Sequence, residues 1–164
     1  MTDAERARER DRIRAILDLQ DGRGPVPVLD DEGIARVLAS ARRIAIVGAS
    51  SRPFRPSHGV MGALLRWGYE VVPVNPVETE VLGRRAYPTL ASAVAAEGPV
   101  DIVDVFRRPD LCVPHAEEAV AAGAACLWLQ LGIVNWEAAR IAAAGGLDVV
   151  MDRCTSIEVA RTRR

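Results

Sequence analysis

Short apolar runs alternate with stretches of helical periodicity from residue 43 onwards. Ile44–Val47 is a continuous apolar run that ends at Gly48, as is typical of a strand buried on both faces of a parallel sheet. His58–Trp67 instead carries its apolar residues at helical spacing and ends before Gly68, a residue type that commonly terminates helices. The two patterns recur as far as residue 151 and predict alternating strands and helices.

The predicted elements follow one another in a regular order. Strands are predicted at Ile44–Val47, Glu70–Val74, Asp101–Phe106, Ala125–Leu131 and Leu147–Met151. Helices are predicted at His58–Trp67, Leu90–Ala96, Asp110–Ala122 and Trp136–Ala144. Val81–Tyr87 is predicted to be a turn, with a short strand as the alternative. Because strand and helix alternate, we expect parallel strands with right-handed helical crossovers, which is an α/β fold.

An N-terminal extension precedes this domain. Ala4–Leu19 is predicted to be a helix. Its apolar face comprises Ile13, Ile16 and Leu17. Residues 21–27 contain two glycines and two prolines and are predicted to be a linker. Asp30 or Asp31 then caps a second predicted helix. We therefore divide the chain into a helix and linker at residues 1–29 and a main domain at residues 30–164.

Length and composition are those of one ordinary globular domain. The chain has 164 residues, of which 49% are hydrophobic and 26% are charged, which suits a chain with its own hydrophobic core. The net charge of −1 offers no basic surface for nucleic acid or an anionic membrane. Apolar runs are too short to span a bilayer, and Met1–Arg14 lacks the apolar core of a signal peptide. We expect a cytoplasmic protein without nucleic-acid or membrane partners.

The basic residues are all arginine, because the sequence contains no lysine and has 21 arginines. This composition excludes the phosphate-binding lysine of a P-loop and the lysine of Schiff-base chemistry. Any phosphate must therefore be held by arginine, by backbone N–H groups or by hydroxyls.

Cysteines and histidines are few and scattered. The cysteines form no C-x-x-C pair and are odd in number, and only two histidines occur, so neither a disulfide framework nor a metal site is predicted. Cys112 and Cys126 lie inside a helix and a strand and are predicted to be small buried residues. Cys154 follows Arg153 at a strand end, where a cation gives a thiol some thiolate character. It is a candidate reactive thiol, with a buried structural role as the alternative.

The loop after the first predicted strand, residues 48–57, predicts a phosphate site. Gly48 permits a tight turn and a close backbone approach, while Ser50 and Ser57 offer hydroxyls and Arg55 offers charge. The helix that follows presents free N–H groups and the positive end of its dipole. The alternative is a strand-to-helix loop that needs glycine, serine and proline only to turn.

Polar and aromatic residues also follow the other strands, where ligands bind in open α/β sheets. Asn75 and Pro76 end the second strand, with simple turn chemistry as the alternative. Phe106 could lie against a flat ring, and Arg107 could reach a phosphate, unless this segment is a solvated turn. Gln130 lies where the polar edge of a ligand would pass. Trp128, within the fourth strand, is predicted to belong to the core.

Two features disfavour a dinucleotide cofactor of the NAD type. The loop at residues 48–57 has a single glycine, Gly48, where the dinucleotide fingerprint has three. The second strand ends at Asn75, whereas NAD-binding domains usually place an acidic residue there to hold the ribose hydroxyls.

The ordered set of motifs resembles the small bacterial CoA-binding proteins, which are stand-alone relatives of the CoA-binding domain of the succinyl-CoA synthetase α subunit. The resemblance runs from about Ile34 to Val159, about three quarters of the chain. The matching segments are Ile46–Ser50, Arg55–Ser57, Gly68–Tyr69, Val72–Pro76, Val81–Gly83, Tyr87–Leu90, Val103–Pro109, Trp128–Gly132 and Met151–Cys154.

The resemblance implies a Rossmann-like, doubly wound, mainly parallel five-stranded sheet with coenzyme A at its carboxyl edge. It implies that Gly48, Ala49, Ser50 and Arg55 lie near the phosphates. The remaining cleft residues that it implies are Asn75, Pro76, Phe106, Arg107 and Gln130. The N-terminal helix lies outside the family pattern. The phosphorylated histidine of the synthetase belongs to a separate domain absent from this chain, so no ligase activity is implied.

Three hypotheses about function follow. The first is a module that binds CoA or an acyl-CoA without catalysis of its own, because no catalytic constellation is evident. The second is an enzyme that acts on the CoA thiol or disulfide through Cys154. The third is an NAD(P)-binding or interaction domain.

Overall fold

The computed structural model describes residues 1–163 and contains the predicted parallel sheet. The strands are β1 (Arg43–Val47), β2 (Glu70–Val74), β3 (Glu80–Val81), β4 (Arg84–Arg85), β5 (Ile102–Val105), β6 (Cys126–Leu129) and β7 (Asp148–Val150). Five of them form one parallel sheet in the order β2-β1-β5-β6-β7, and β3 and β4 form a small antiparallel pair. The predicted Rossmann-like α/β fold is confirmed.

Seven α-helices lie among the residues that the structure describes. They are α1 (Asp3–Gln20), α2 (Asp31–Ser40), α3 (Pro56–Arg66), α4 (Leu90–Glu97), α5 (Cys112–Ala121), α6 (Trp136–Ala144) and α7 (Thr155–Thr162). The predicted helix at Asp110–Ala122 is divided into a 3-10 turn at Pro109–Leu111 and α5. No helix between Met1 and Arg163 is long and apolar enough to cross a membrane.

The two faces of the sheet are covered by different helices. Ile44 and Ile46 of β1 pack with apolar residues of α2, α3 and α7. Ala45 and Val47, which alternate with them, pack with residues of α4, α5 and α6 on the other face. Successive strand side chains point to opposite faces, and both faces of β1 are covered, so an uninterrupted apolar run is required there.

The order of the strands places a topological switch point between β1 and β5. The chain leaves β1 through α3 to reach β2 on one side, and it leaves β5 through α5 to reach β6 on the other. The two connections therefore diverge to opposite faces of the sheet and leave a crevice at its carboxyl edge. Ligands of doubly wound folds bind in such a crevice.

Helix α1 rests on the domain through a different face from the predicted one. Of the predicted face, Ile16 packs against the core, whereas Ile13 and Leu17 remain 49% and 48% exposed. The contact face is rotated because Trp136 of α6 anchors the helix, donating from Nε1 to the carbonyl oxygen of Ala15 over 3.1 Å. The helix begins at a capping box in which the Thr2 hydroxyl accepts from the Glu5 N–H.

Helix α7 was not predicted from the sequence, because its buried side includes polar residues. Thr155 and Glu158 are buried together with Val159, which removes the apolar periodicity that identifies a helix. Glu158 is compensated by Arg153, whose Nη1 lies 3.3 Å from its carboxylate. This helix brings Cys154 and Thr155 to the carboxyl edge of the sheet.

Candidate functional site

A cleft of about 810 Å³ opens at the switch point, beyond the carboxyl ends of β1, β5 and β6. It contains most of the residues that the sequence singled out. Those lining it are Gly48, Ser50, Arg55, Ser57, Asn75, Phe106, Arg107, Gln130 and Cys154. The segments that follow all five strands of the parallel sheet therefore meet at one site, as the parallel arrangement requires.

Gly48 brings the loops after β1 and β5 into direct contact. Its φ of +88° lies in the left-handed region, and a Cβ at this position would stand 2.6 Å from the carbonyl oxygen of Phe106. A backbone hydrogen bond from Phe106 N–H to Val47 O (2.8 Å) holds the two loops there, and a second from Gly48 N–H to Val74 O (2.9 Å) ties Gly48 to the end of β2. Glycine is required at residue 48 by this backbone contact, before any ligand is considered.

Ala49 and Pro76 do not line the cleft. Ala49 is fully buried in the core, and Pro76 is exposed outside the cleft. Asn75 connects their two loops, since its Nδ2 donates to the Ala49 carbonyl oxygen over 2.8 Å and its Oδ1 accepts from Val77 N–H over 2.9 Å. Both polar atoms of the Asn75 amide are thus engaged in fixing loop geometry.

Arginine side chains give the cleft its charge. Those lining it are Arg12, Arg52, Arg55, Arg107 and Arg108. Arg108 approaches Asp110 at 3.8 Å. In the described part of the chain, no carboxylate lies within 4.0 Å of the guanidinium groups of Arg12, Arg52, Arg55 or Arg107. These four cations are available to an anionic ligand.

Arg12 is a cleft residue that the sequence did not reveal. It lies on α1, one turn before Ala15, whose carbonyl oxygen accepts from Trp136. That contact holds α1 against the domain in a position where Arg12 lines the cleft. A local sequence pattern gives no sign of where a separate helix will dock, so the position of Arg12 depends on tertiary structure.

The carboxylate at the cleft rim is held by the loop after β1. Glu78 accepts from the backbone N–H of Ser51 over 3.1 Å and from its hydroxyl over 3.0 Å. These hydrogen bonds lower the pKa of Glu78. Ser51 therefore holds the Glu78 carboxylate by hydrogen bonds, and this carboxylate lies beside the arginines without forming an ion pair with them.

The first turn of α3 also faces the cleft. Pro56 is its first residue, and the N-cap residue Arg55 makes no side-chain capping hydrogen bond. Ser57 is buried at the cleft wall. The N–H groups of Arg55 and His58 donate to backbone carbonyls and Pro56 has none, so this turn offers an anion the Ser57 N–H and the positive end of the helix dipole.

A buried polar network forms the floor of the cleft beneath Gln130. Gln130 Nε2 donates to Asp104 Oδ1 over 2.7 Å and to Thr155 Oγ1 over 2.9 Å, and Thr155 Oγ1 donates to Asp104 Oδ2 over 2.8 Å. Burial raises the pKa of Asp104 to about 7, against the two hydrogen bonds, which lower it. Asp104 was not predicted as a site residue, although an acid inside an apolar strand signals a buried partner.

The three cysteines occupy different environments. Cys112 and Cys126 are fully buried, as predicted, and burial raises the pKa of Cys112 to about 12 and also raises that of Cys126. Cys154 is 9% exposed and lines the cleft, with its Sγ 3.2 Å from the Ser156 hydroxyl. Trp128 is fully buried and donates to a backbone carbonyl, which confirms its predicted place in the core.

A comparison with protein families identifies the family of this chain. The family model described as "CoA binding domain" matches residues 42–160. The chain belongs to this CoA-binding domain family. The resemblance inferred from the motifs is thereby confirmed, and the matched region includes every strand and every predicted site residue, while α1 lies before it.

Relatives of similar length are known from bacteria and archaea. The uncharacterized protein YneT of Bacillus subtilis is 42% identical over 130 residues, which cover 79% of this chain and 94% of that protein. A solved structure of a hypothetical protein from Pyrococcus horikoshii is 39% identical, with a TM-score of 0.78, and the match covers 83% of this chain and 94% of that one. A solved structure from Thermus thermophilus is 37% identical, with a TM-score of 0.75, covering 82% and 99%.

Proposed function

We propose that this chain binds coenzyme A or an acyl-CoA in the switch-point cleft, as a binding or regulatory module without catalysis of its own. The observation that carries the proposal is the group of four arginines around the start of α3, none of which has an ion-pair partner within residues 1–163: Arg12, Arg52, Arg55 and Arg107. A multiply charged phosphate ligand matches such a site, and the chain belongs to the CoA-binding domain family.

Each part of coenzyme A has a chemical counterpart in the cleft. The diphosphate and the ribose 3′-phosphate suit the arginines and the start of α3. The ring of Phe106 offers a flat apolar surface to the adenine, and Gln130 offers a polar group to the amide-bearing pantetheine arm. A volume of about 810 Å³ lies within the range of pockets that hold small ligands.

NAD is a poorer match. The loop after β1 presents Gly48 without the further glycines of the dinucleotide fingerprint. Asn75 stands where an NAD-binding domain has its ribose-binding acid, and both ends of its amide are already bonded to backbone.

A second candidate function is thiol–disulfide exchange at Cys154, favoured by the position of this cysteine in the cleft. In that reaction the Cys154 thiolate attacks one sulfur of CoA disulfide, and a protein–CoA disulfide forms while a CoA thiolate leaves. The disulfide substrate is the oxidant, and its reduced half is the leaving group.

Calorimetric titration of the reduced protein with CoA, with NAD and ATP as comparisons, tests the leading proposal. We expect saturable binding of CoA at micromolar concentrations and none of NAD. Absence of CoA binding would contradict the proposal. Intact mass measurement after incubation with CoA disulfide tests the second function, which requires a CoA adduct on the protein that is missing from Cys154→Ser. An unmodified protein would exclude it.

A further inference from the structure

The hydrogen bonds around an ionised Asp104 fix which atoms donate and which accept. An ionised carboxylate only accepts hydrogen bonds. Both of its oxygens are used, one by Gln130 Nε2 and the other by Thr155 Oγ1. The two hydrogens of the Gln130 amide are also used, since its second bond goes to Thr155 Oγ1. The network is complete when Asp104 is charged and the Gln130 amide nitrogen faces it.

This arrangement directs the other end of the Gln130 amide away from Asp104. Gln130 is 4% exposed, and that exposed part lines the cleft. No group in residues 1–163 donates to Gln130 Oε1, and this oxygen is not among fully buried atoms without a partner. Gln130 Oε1 is therefore a nearly buried acceptor, open to the cleft and without an intramolecular donor.

We propose that Asp104 is a positioning residue, whose carboxylate holds the Gln130 amide so that Oε1 accepts a hydrogen bond from an N–H group of the ligand. The inference rests on the proposed CoA function, in which an amide N–H of the pantetheine arm donates to Gln130 Oε1. Asp104 itself touches no ligand. It acts by fixing which end of Gln130 faces the cleft.

Protonation of Asp104 removes this preference. The acid form carries both a donor and an acceptor, so it can pair with either end of the Gln130 amide and no longer selects the nitrogen. An amide that has turned presents its nitrogen to the cleft, where it meets the N–H of the ligand. Because burial raises the pKa of Asp104 to about 7, ligand affinity falls as the pH drops through neutrality.

No other titratable or charged group in residues 1–163 is hydrogen-bonded to the Asp104 side chain. Such groups on the elements around it include Cys126 in β6, His58 in α3, Arg107 after β5, and Cys154 and Glu158 at α7. Glu158 is paired with Arg153 and Arg161. Because the Asp104 carboxylate is hydrogen-bonded to Gln130 and Thr155, its protonation changes the hydrogen bonding of the Gln130 amide directly.

The first test compares the pH dependence of CoA affinity in the wild type and in Asp104→Asn. The asparagine has one acceptor and one donor group, as the protonated acid has, but it does not titrate. From about pH 8.5 to about pH 6, we expect the wild-type affinity to fall about two- to tenfold more than that of the variant, the equivalent of one lost hydrogen bond. Titration of the ligand phosphates affects both proteins equally. The control Asp148→Asn, an exposed acid on β7, should keep the wild-type profile, and identical profiles of wild type and Asp104→Asn would overturn the inference.

A second test uses the wild-type protein without ligand, so it depends on neither a variant nor CoA. Nuclear magnetic resonance can follow the Asp104 carboxyl carbon and the Gln130 side-chain amide across the same pH range. We expect the two signals to titrate together near neutrality. A Gln130 amide that does not respond when Asp104 titrates would overturn the inference. Failure of CoA to bind at every pH would instead contradict the proposed function, while the amide titration would still decide the positioning of Gln130.

Discussion

A Cβ atom on residue 48 would lie 2.6 Å from the carbonyl oxygen of Phe106, so the loops after β1 and β5 can meet only if residue 48 is glycine. The left-handed φ of Gly48 adds a second, independent requirement for glycine. Residues of both loops line the cleft. Their contact links the fold of the switch point directly to the shape of the candidate site.

Gly48→Ala should therefore damage both stability and binding. The new Cβ must displace the Phe106 backbone, and we expect a lower melting temperature together with loss of measurable CoA binding in calorimetry. Gly59→Ala is the matched control, because nothing lies within 4 Å of a Cβ there and alanine is favoured in a helix such as α3. A Gly48→Ala protein with wild-type affinity would show that the loop contact is not needed for the site.

Arg55 is expected to bind a phosphate of the ligand. Arg55→Ala should weaken CoA binding about ten- to hundredfold, the usual effect of losing a charge-assisted hydrogen bond. Arg66→Ala, at the other end of α3 and outside the cleft lining, should bind as the wild type does. Calorimetric titration of both variants makes the comparison, and an unchanged affinity in Arg55→Ala would remove Arg55 from the site.

Arg12 should make α1 part of the binding site. Arg12→Ala is expected to weaken CoA binding severalfold and to reduce its dependence on salt, because one cation near the phosphates is lost. Arg14→Ala removes the same charge from the same helix at a position outside the cleft lining. If the two variants have equal affinities across a salt series, Arg12 does not contact the ligand.

The buried Asp104 predicts a characteristic dependence of stability on pH. Its pKa is about 7 in the folded protein and about 4 in an unfolded chain. The folded state thus holds the proton more tightly, and its stability falls as the pH rises between these two values. Asp104→Asn removes this loss. The free energy of unfolding of the variant, relative to that of the wild type, should therefore rise from about pH 5 to about pH 8. Urea denaturation at both pH values measures it, and a constant difference would contradict the raised pKa.

The sequence predicted the sheet and much of the cleft because both depend on local order. Gly48 and Arg107 each follow a predicted strand and Gln130 lies near the end of another, and parallel strands bring their carboxyl ends to one edge. The sequence did not show which residues of those loops line the cleft and which do not. Ala49 and Pro76 adjoin cleft residues in sequence, yet one is in the core and the other is exposed outside the cleft, because neighbouring residues in a loop point in different directions.

What the sequence could not supply depends on contacts between distant segments. Arg12 reaches the cleft through the hydrogen bond between Trp136 and Ala15, which are 121 residues apart. The network of Asp104, Gln130 and Thr155 joins two strand ends to α7, a helix whose buried polar residues conceal its periodicity. No local pattern encodes either arrangement.

The most direct test of the central claim is to map CoA binding on the backbone amide signals of the reduced protein by nuclear magnetic resonance. Titration should give saturable shifts concentrated at Gly48, Arg107 and Gln130 in the cleft. Gly68 and Gly98, which precede β2 and β5 at the opposite edge of the sheet, should stay unchanged. Shifts that fail to saturate, or that centre on the opposite edge, would contradict CoA binding at the switch point.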